Sequence, residues 1–236
     1  MLCRRDSTLE CLRIFYRNFK GAFIMKLKRD IFRLYAVTDR AWLNGGSLKE
    51  QVTDAIAGGA GIVQLREKVL DDAGFLAEAQ WLVPLCRKLG AISIINDNVE
   101  IALASDADGV HVGQEDMAAV NARAALGSAK IVGVSVHNVD EALAAQAAGA
   151  NYLGVGAAFA SHTKSEAKPL SKETIRAVTE AVHIPVVAIG GITEDNISEL
   201  SGCGLDGVAV VSALFAQPDI KAAAARMLAL SKKIAR

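Results

Sequence analysis

Aromatic side chains are scarce in this chain, and so is any imbalance of charge. Only 5% of its 236 residues are Phe, Trp or Tyr, while 52% are hydrophobic. Gly, Ala, Val and Ile make up much of the rest, a mixture that suits parallel strands buried under helices. Lys plus Arg equals Asp plus Glu at 26 each, so no chain-wide basic field recommends nucleic acid or an anionic membrane as a partner. The four cysteines, Cys3, Cys11, Cys86 and Cys203, form no CxxC pair, and no histidine stands at zinc-finger spacing from them. A cytoplasmic protein with inert thiols is the reading that follows. No apolar run reaches the roughly 18 residues that a membrane helix needs. The first residues carry arginines but no clean apolar core, which argues against a secretory signal. Asp6 and Glu10 argue against a transit peptide. Residues 1–24 are read as an extension of unknown role, with Met25 a candidate start, and residues 25–236 as one catalytic domain.

What the chain does have is alternation. Short apolar runs at 34–39, 61–68, 91–97, 109–114, 130–136, 151–159, 184–191 and 206–214 read as buried strands. Between and after them lie amphipathic segments at 47–60, 72–90, 98–105, 120–127, 139–149, 171–182, 193–203 and 220–233. Many open on Ser, Asp, Thr or Asn, and several end at a glycine, as at Gly90, Gly127 and Gly149. Crossover helices make neighbouring strands parallel. Eight such units close into an α/β (β/α)8 TIM barrel, a single domain. An open doubly wound sheet is the competitor, but no GxGxxG follows the first strand. In this barrel the chemistry sits at the C-terminal ends of the strands.

The second barrel strand ends Gln64-Leu65-Arg66-Glu67-Lys68. Alternation places Gln64, Arg66 and Lys68 on one face, a row that calls for an anionic ligand. The third ends Asn96-Asp97, and Asp116 follows the fourth. Each aspartate is either a helix N-cap or a hard oxygen ligand for Mg²⁺ shared with phosphate. Ser135, at the end of the fifth strand, can donate to a ligand; His111 and His183 read as structural, while His137, in a loop before a helix, is either structural or catalytic. Gly190-Gly191 at the end of the seventh strand and Val211-Ser212 at the end of the eighth fit a phosphate site. The loop Phe159-Ala160-Ser161-His162-Thr163-Lys164 stands between the two anion sites, which suggests two phosphorylated ligands or one with two anionic ends.

The stretches YAVTDR, VQLREK, INDNVEIALASDADGVHVGQED, GVSVHN, YLGVGAAFASHTKSEAKP, VVAIGGI and GVAVVSAL come in one order across residues 34–218. In that order the chain resembles the thiamine phosphate synthase family. The resemblance implies a transferase of thiamine biosynthesis. It joins a hydroxymethylpyrimidine diphosphate to a thiazole monophosphate and releases diphosphate by dissociative substitution, with the carboxylated thiazole also accepted. Carried over residue by residue, Gln64, Arg66, Lys68, Asn96, Ser135 and Lys164 would hold the pyrimidine diphosphate. Arg66, Ser135 and Lys164 would act on the reaction itself, and Asp97 and Asp116 would hold one Mg²⁺ per subunit. Ser161, Thr163, Gly191, Val211 and Ser212 would line the thiazole phosphate site. Where the family shows Pro-Thr this chain has Ala160-Ser161, and a further family proline is Ala157 here. The partners implied are phosphorylated small molecules, and a homo-oligomer is compatible with the sequence. The alternative is a thiazole tautomerase-like enzyme, for which His137 would be the residue to suspect.

Overall fold

The computed structural model describes residues 13–17, 23–43, 45–114, 118–160 and 168–236, with side chains from residue 27 onward except at 118. Strands β1 (Arg13–Arg17) and β2 (Phe23–Leu27) pair antiparallel, Arg13 opposite Leu27 and Arg17 opposite Phe23. The division expected at residue 25 falls inside β2, whose last residue, Leu27, is buried.

Eight strands then form a closed, wholly parallel barrel. They are β3 (Leu34–Val37), β4 (Ile62–Leu65), β5 (Ile92–Asn96), β6 (Gly109–Val112), β7 (Ile131–Val136), β8 (Tyr152–Gly156), β9 (Val186–Ile189) and β10 (Gly207–Val210). Closure comes from β10 pairing with β3, Val208 opposite Leu34. Each strand lies within its expected span. The helices are α1 (Leu48–Ala57), α2 (Asp72–Leu89), α3 (Val99–Ala104), α4 (Ala118–Leu126), α5 (Val139–Ala147), α6 (Lys172–Ala181), α7 (Ser212–Phe215) and α8 (Ile220–Ile234). Side chains of Asp71, Asn98, Asn138, Ser171 and Asp219 accept amide hydrogen bonds at the starts of α2, α3, α5, α6 and α8.

Two local expectations need correction. The amphipathic stretch 193–203 forms only a 3₁₀ turn, Ile197–Leu200. The Asn196 side chain accepts from the Thr193 amide and donates to the Gly191 carbonyl, both at 2.8 Å, so it draws the backbone into a turn instead of a helix. The last barrel strand ends at Val210, and the residues expected to continue it wind into α7, with the Val211 carbonyl accepting from Leu214 and Phe215.

Alternation along each strand separates two cores. Leu34, Ala36, Val63, Leu65, Val132 and Val134 pack outward under the helices. Tyr35, Val37, Ile62, Ile92, Ile94, Ile131, Tyr152, Val187 and Ala209 fill the barrel. At the N-terminal end, the residue just before each of β6, β8 and β10 ties back to the strand before it. Asp108 accepts from the Ser93 amide at 2.9 Å, Asn151 from the Val132 amide at 2.8 Å and Asp206 from the Val186 amide at 2.8 Å. Cys86 and Cys203 are buried and free. Burial pushes the Cys86 thiol up to about 12, which keeps it protonated and inert. Among the described residues no helix is long and apolar enough to cross a membrane.

Candidate active site

The C-terminal ends of β4 and β5 bring most of the expected pyrimidine-site residues together. Gln64 is buried inside the barrel and its Nε2 donates to the Tyr35 hydroxyl at 2.7 Å. Arg66 lies just beyond β4, where its guanidinium meets Asp39 Oδ2 at 3.0 Å and its amide donates to Thr38 Oγ1 at 3.0 Å. Lys68 reaches across to Asp97, Nζ to Oδ2, at 3.3 Å. Asn96, the last residue of β5, donates from Nδ2 to the same Asp97 oxygen at 2.6 Å. The Gln64-Arg66-Lys68 row is therefore a contiguous polar surface, answered by two aspartates from neighbouring strand ends.

The two roles left open for Asp97 are separated by its geometry. Asn98, not Asp97, caps α3, accepting from the Ile101 amide at 2.8 Å. Asp97 adopts φ 61°, the left-handed region that Asp tolerates better than most residues, and its amide donates to the His111 carbonyl. Its carboxylate is thus turned away from the helix. Among the described residues Oδ2 is engaged by Lys68 and Asn96, and Oδ1 makes no hydrogen bond. A half-exposed carboxylate with a free oxygen fits a hard divalent cation. No group of three or more metal-ligating side chains occurs among the described residues, and Asp116 lies outside them.

Glu67, on the opposite face of the row, was not singled out in the sequence. It is buried, and one oxygen accepts from the amides of Lys68, Val69 and Leu70 at 2.8, 2.7 and 3.2 Å. Its other oxygen meets Arg40 Nε at 2.5 Å, and Arg40 also binds Glu78. Burial pushes the Glu67 carboxyl up, but the loop amides and Arg40 outweigh burial and hold it below the ordinary carboxylate range. Glu67 is the clamp that fixes the loop carrying Lys68. Its signal in the sequence was only a charge at an outward position, where a solvated glutamate is commonplace.

Ser135 projects into the barrel from β7, and its Oγ lies 3.0 Å from His111 Nε2. Its carbonyl accepts from the Gln114 amide group. His111 is buried and hydrogen-bonded, as its position within a strand implied. His137 stands at the start of α5 with Nδ1 2.9 Å from Glu141 Oε2, a local pairing within the first turn of that helix.

On the other side of the mouth, the loops after β8 and β9 are knitted together. Amides of Ala158 and Phe159 donate to the carbonyls of Ile189 and Gly190 at 2.8 and 2.9 Å. Gly191 has φ +65°, and a Cβ there would lie 2.3 Å from the Ala160 carbonyl oxygen. No side chain fits, so the glycine is required by the close approach of the two loops. Val211 and Ser212 follow β10, the strand next to β9, and Ser212 opens α7. Gly191, Val211 and Ser212 thus stand at adjacent strand ends. Ser161, Thr163 and Lys164 lie outside the described residues.

The comparisons with known proteins agree with this geometry. A family model described as thiamine monophosphate synthase matches residues 34–214. A thiamine-phosphate synthase of Ruminiclostridium cellulolyticum is 46% identical over 204 residues, covering 86% of this chain and 97% of the relative. One from Chloroflexus aurantiacus is 48% identical over 200 residues, covering 84% and 92%. A solved thiamine phosphate pyrophosphorylase from Pyrococcus furiosus superposes with a TM-score of 0.79 at 37% identity, covering 87% of this chain and 98% of that one. With a parallel barrel whose charged residues gather at the C-terminal strand ends and these relatives matched over nearly their whole length, the chain belongs to the thiamine-phosphate synthase family of transferases.

Proposed function

We propose that the chain joins a hydroxymethylpyrimidine diphosphate to a thiazole monophosphate, its carboxylated form included, and releases thiamine phosphate and diphosphate. The observation that carries this reading is the convergence of Gln64, Arg66, Lys68, Asn96 and Asp97 from adjacent strand ends, with Gly191, Val211 and Ser212 at a separate pair of ends. Two anionic ligands have room for two separate seats around one barrel mouth.

The reaction is a dissociative substitution. The C–O bond to diphosphate breaks, its electron pair leaves with the diphosphate, and a pyrimidine-stabilised cation remains. The thiazole nitrogen then gives its lone pair to that carbon and forms the C–N bond. No proton has to move, so the protein's task is alignment and charge stabilisation. Arg66, Lys68 and Lys164 place positive charge where the leaving group accumulates negative charge. Gln64, Asn96 and Ser135 orient the pyrimidine. Ser161, Thr163, Gly191, Val211 and Ser212 hold the thiazole phosphate.

Asp97 and Asp116 would hold one Mg²⁺ per subunit, a role supported by the Asp97 carboxylate, which does not cap the helix and whose Oδ1 makes no hydrogen bond among the described residues. When bound, the ion would neutralise charge on the diphosphate oxygens. The barrel, which begins with β3 at Leu34, carries the activity, with phosphorylated small molecules as its partners. The buried thiols support a cytoplasmic setting. Mixing the purified protein with both phosphorylated substrates, with and without Mg²⁺, tests the reading. Thiamine phosphate and diphosphate should appear together and depend on the ion. Absence of thiamine phosphate at every Mg²⁺ concentration refutes the reading.

A further inference from the structure

Beneath the mouth of the barrel, five side chains from five strands make an unbroken hydrogen-bonded chain. Gln64 Nε2 donates to the Tyr35 hydroxyl at 2.7 Å. The Tyr35 and Tyr152 hydroxyls are 2.7 Å apart. Tyr152 Oη is 2.9 Å from His111 Nδ1, and His111 Nε2 is 3.0 Å from Ser135 Oγ. Gln64 and Ser135, at its two ends, are residues of the proposed pyrimidine site. Tyr35, Tyr152 and His111 have no part in that site, and all three are buried.

The chain is built into the core. A Cβ at Gly133 would lie 2.1 Å from the Tyr152 ring, so the β7 strand is bare where the phenol passes. Tyr152 also packs against Phe32, Tyr35 and His111, with ring centroids 5.2, 5.8 and 5.5 Å away. These contacts leave the two hydroxyls little freedom to exchange partners. Burial raises both phenols above their ordinary value, so both keep their protons.

Proton accounting then sets a direction. Tyr35 accepts from Gln64 and so gives its own proton to Tyr152. Tyr152, having accepted, gives its proton to His111 Nδ1. A histidine that accepts at Nδ1 carries its proton at Nε2 and donates it to Ser135 Oγ. Ser135 accepts from His111 and keeps its own hydroxyl proton, which has no other partner among the described residues. We propose that Gln64, Tyr35, Tyr152 and His111 form a one-directional relay that holds His111 as the Nε2–H tautomer and leaves the Ser135 proton for an acceptor atom of the pyrimidine diphosphate. His111, Tyr152 and Tyr35 are positioning residues. The inference rests on the reaction proposed above, because it needs a substrate acceptor at Ser135. The reverse direction would turn the Ser135 proton inward and leave only lone pairs facing the ligand.

The test uses the full chain labelled with ¹⁵N-histidine. Long-range ¹H–¹⁵N correlation should show His111 Nε2 as protonated and Nδ1 as a bare acceptor. A protonated Nδ1, alone or together with Nε2, overturns the relay. Steady-state kinetics supply the second readout. His111→Gln keeps a donor near the Nε2 position and should retain kcat/KM for the pyrimidine diphosphate within about threefold. His111→Leu removes the donor and should lose about tenfold or more, with KM for the thiazole phosphate unchanged. Tyr152→Phe keeps the ring, drops the link and should lose about tenfold while shifting the His111 ¹⁵N signals. Equal activity of the Gln and Leu variants overturns the proposal, and if the Leu variant does not fold, the Tyr152→Phe spectrum and the wild-type tautomer still decide. A wild-type protein that makes no thiamine phosphate strikes the reading of the reaction, whereas the tautomer assignment strikes the relay alone.

Discussion

At the N-terminal end of the barrel Asp206 is fully buried, and every lone pair it offers is answered by the chain. Arg29 meets it at 2.5 Å, Arg236 at 3.2 Å, and the Val186 amide at 2.8 Å, while Arg33 donates to its carbonyl at 3.0 Å. At the C-terminal end Lys68 and Asp97 meet at 3.3 Å with 55% and 52% of their side chains exposed. The first arrangement is closed, with its partners committed. The second is open, because an exposed pair at that separation contributes little to stability and stays available to a ligand. Both ends are rich in charge, and the difference lies in what completes the charges: the protein itself below and, in the proposed reaction, a ligand above.

The sharpest way to break this comparison is to remove one carboxylate from each end. Asp206→Ala should cost about 3 kcal/mol of stability, because it strands the Val186 amide and the guanidinium groups of Arg29 and Arg236, yet leave kcat of the folded fraction near wild type. Chemical denaturation and active-site-normalised kinetics would check it. Asp97→Ala should do the reverse. It should lower kcat/KM about a hundredfold, equivalent to about 2.7 kcal/mol, with a smaller stability cost of about 1 kcal/mol, set by an alanine in the left-handed backbone at φ 61°. Near wild-type kcat at low Mg²⁺ in that variant would remove the metal role. Lys164→Ala should slow the single-turnover rate more than it raises KM for the thiazole phosphate, by about tenfold or more if the lysine meets the leaving group. An unchanged single-turnover rate would take Lys164 out of the chemistry.

Glu67 supplies the smallest effect and the finest test, since it belongs to the upper end but is buried like the lower one. Its carboxyl is held below the ordinary range, so it contributes stability above its unfolded pKa and loses that contribution as pH falls through the lower folded value. Glu67→Gln should therefore cost about 1 kcal/mol at neutral pH. The gap to wild type should close as pH drops below the ordinary carboxylate range, read from urea unfolding at a series of pH values. KM for the pyrimidine diphosphate should rise in the same variant, because the loop amides at 68–70 lose their anchor.

The barrel was legible in the sequence because its strands are continuous apolar runs separated by capped amphipathic segments, as Asn98, Asn138 and Ser171 illustrate. The stretch 193–203 misled because its apolar spacing is helical while Asn196 spends its side chain on a turn. At the site, Gln64, Lys68 and Asp97 could be read from their positions at strand ends. Asp97 is separated from a cap only by its φ and by the bond that Asn98 accepts from the Ile101 amide. Asp39 and the clamp at Glu67 were invisible because each is one acidic residue in a loop or on an outward face, meaningful only through a partner distant in sequence. Tyr35 and Tyr152 were hidden more thoroughly. Within apolar strands they read as hydrophobic bulk, and only their shared hydroxyl contact reveals them as polar.

The ties made by Asp108, Asn151 and Asp206 join β5 to β6, β7 to β8 and β9 to β10. They bind six of the eight strands into couples, and Lys130, just before β7, bridges the joint between the first two couples by reaching Asp106 and the Ala107 carbonyl. A circular permutant opened at the turn between α4 and β7, between two couples, should survive better than one opened between α5 and β8, within a couple. The barrel would then come apart in pairs of strands, with its weakest joints spaced two units apart around the ring.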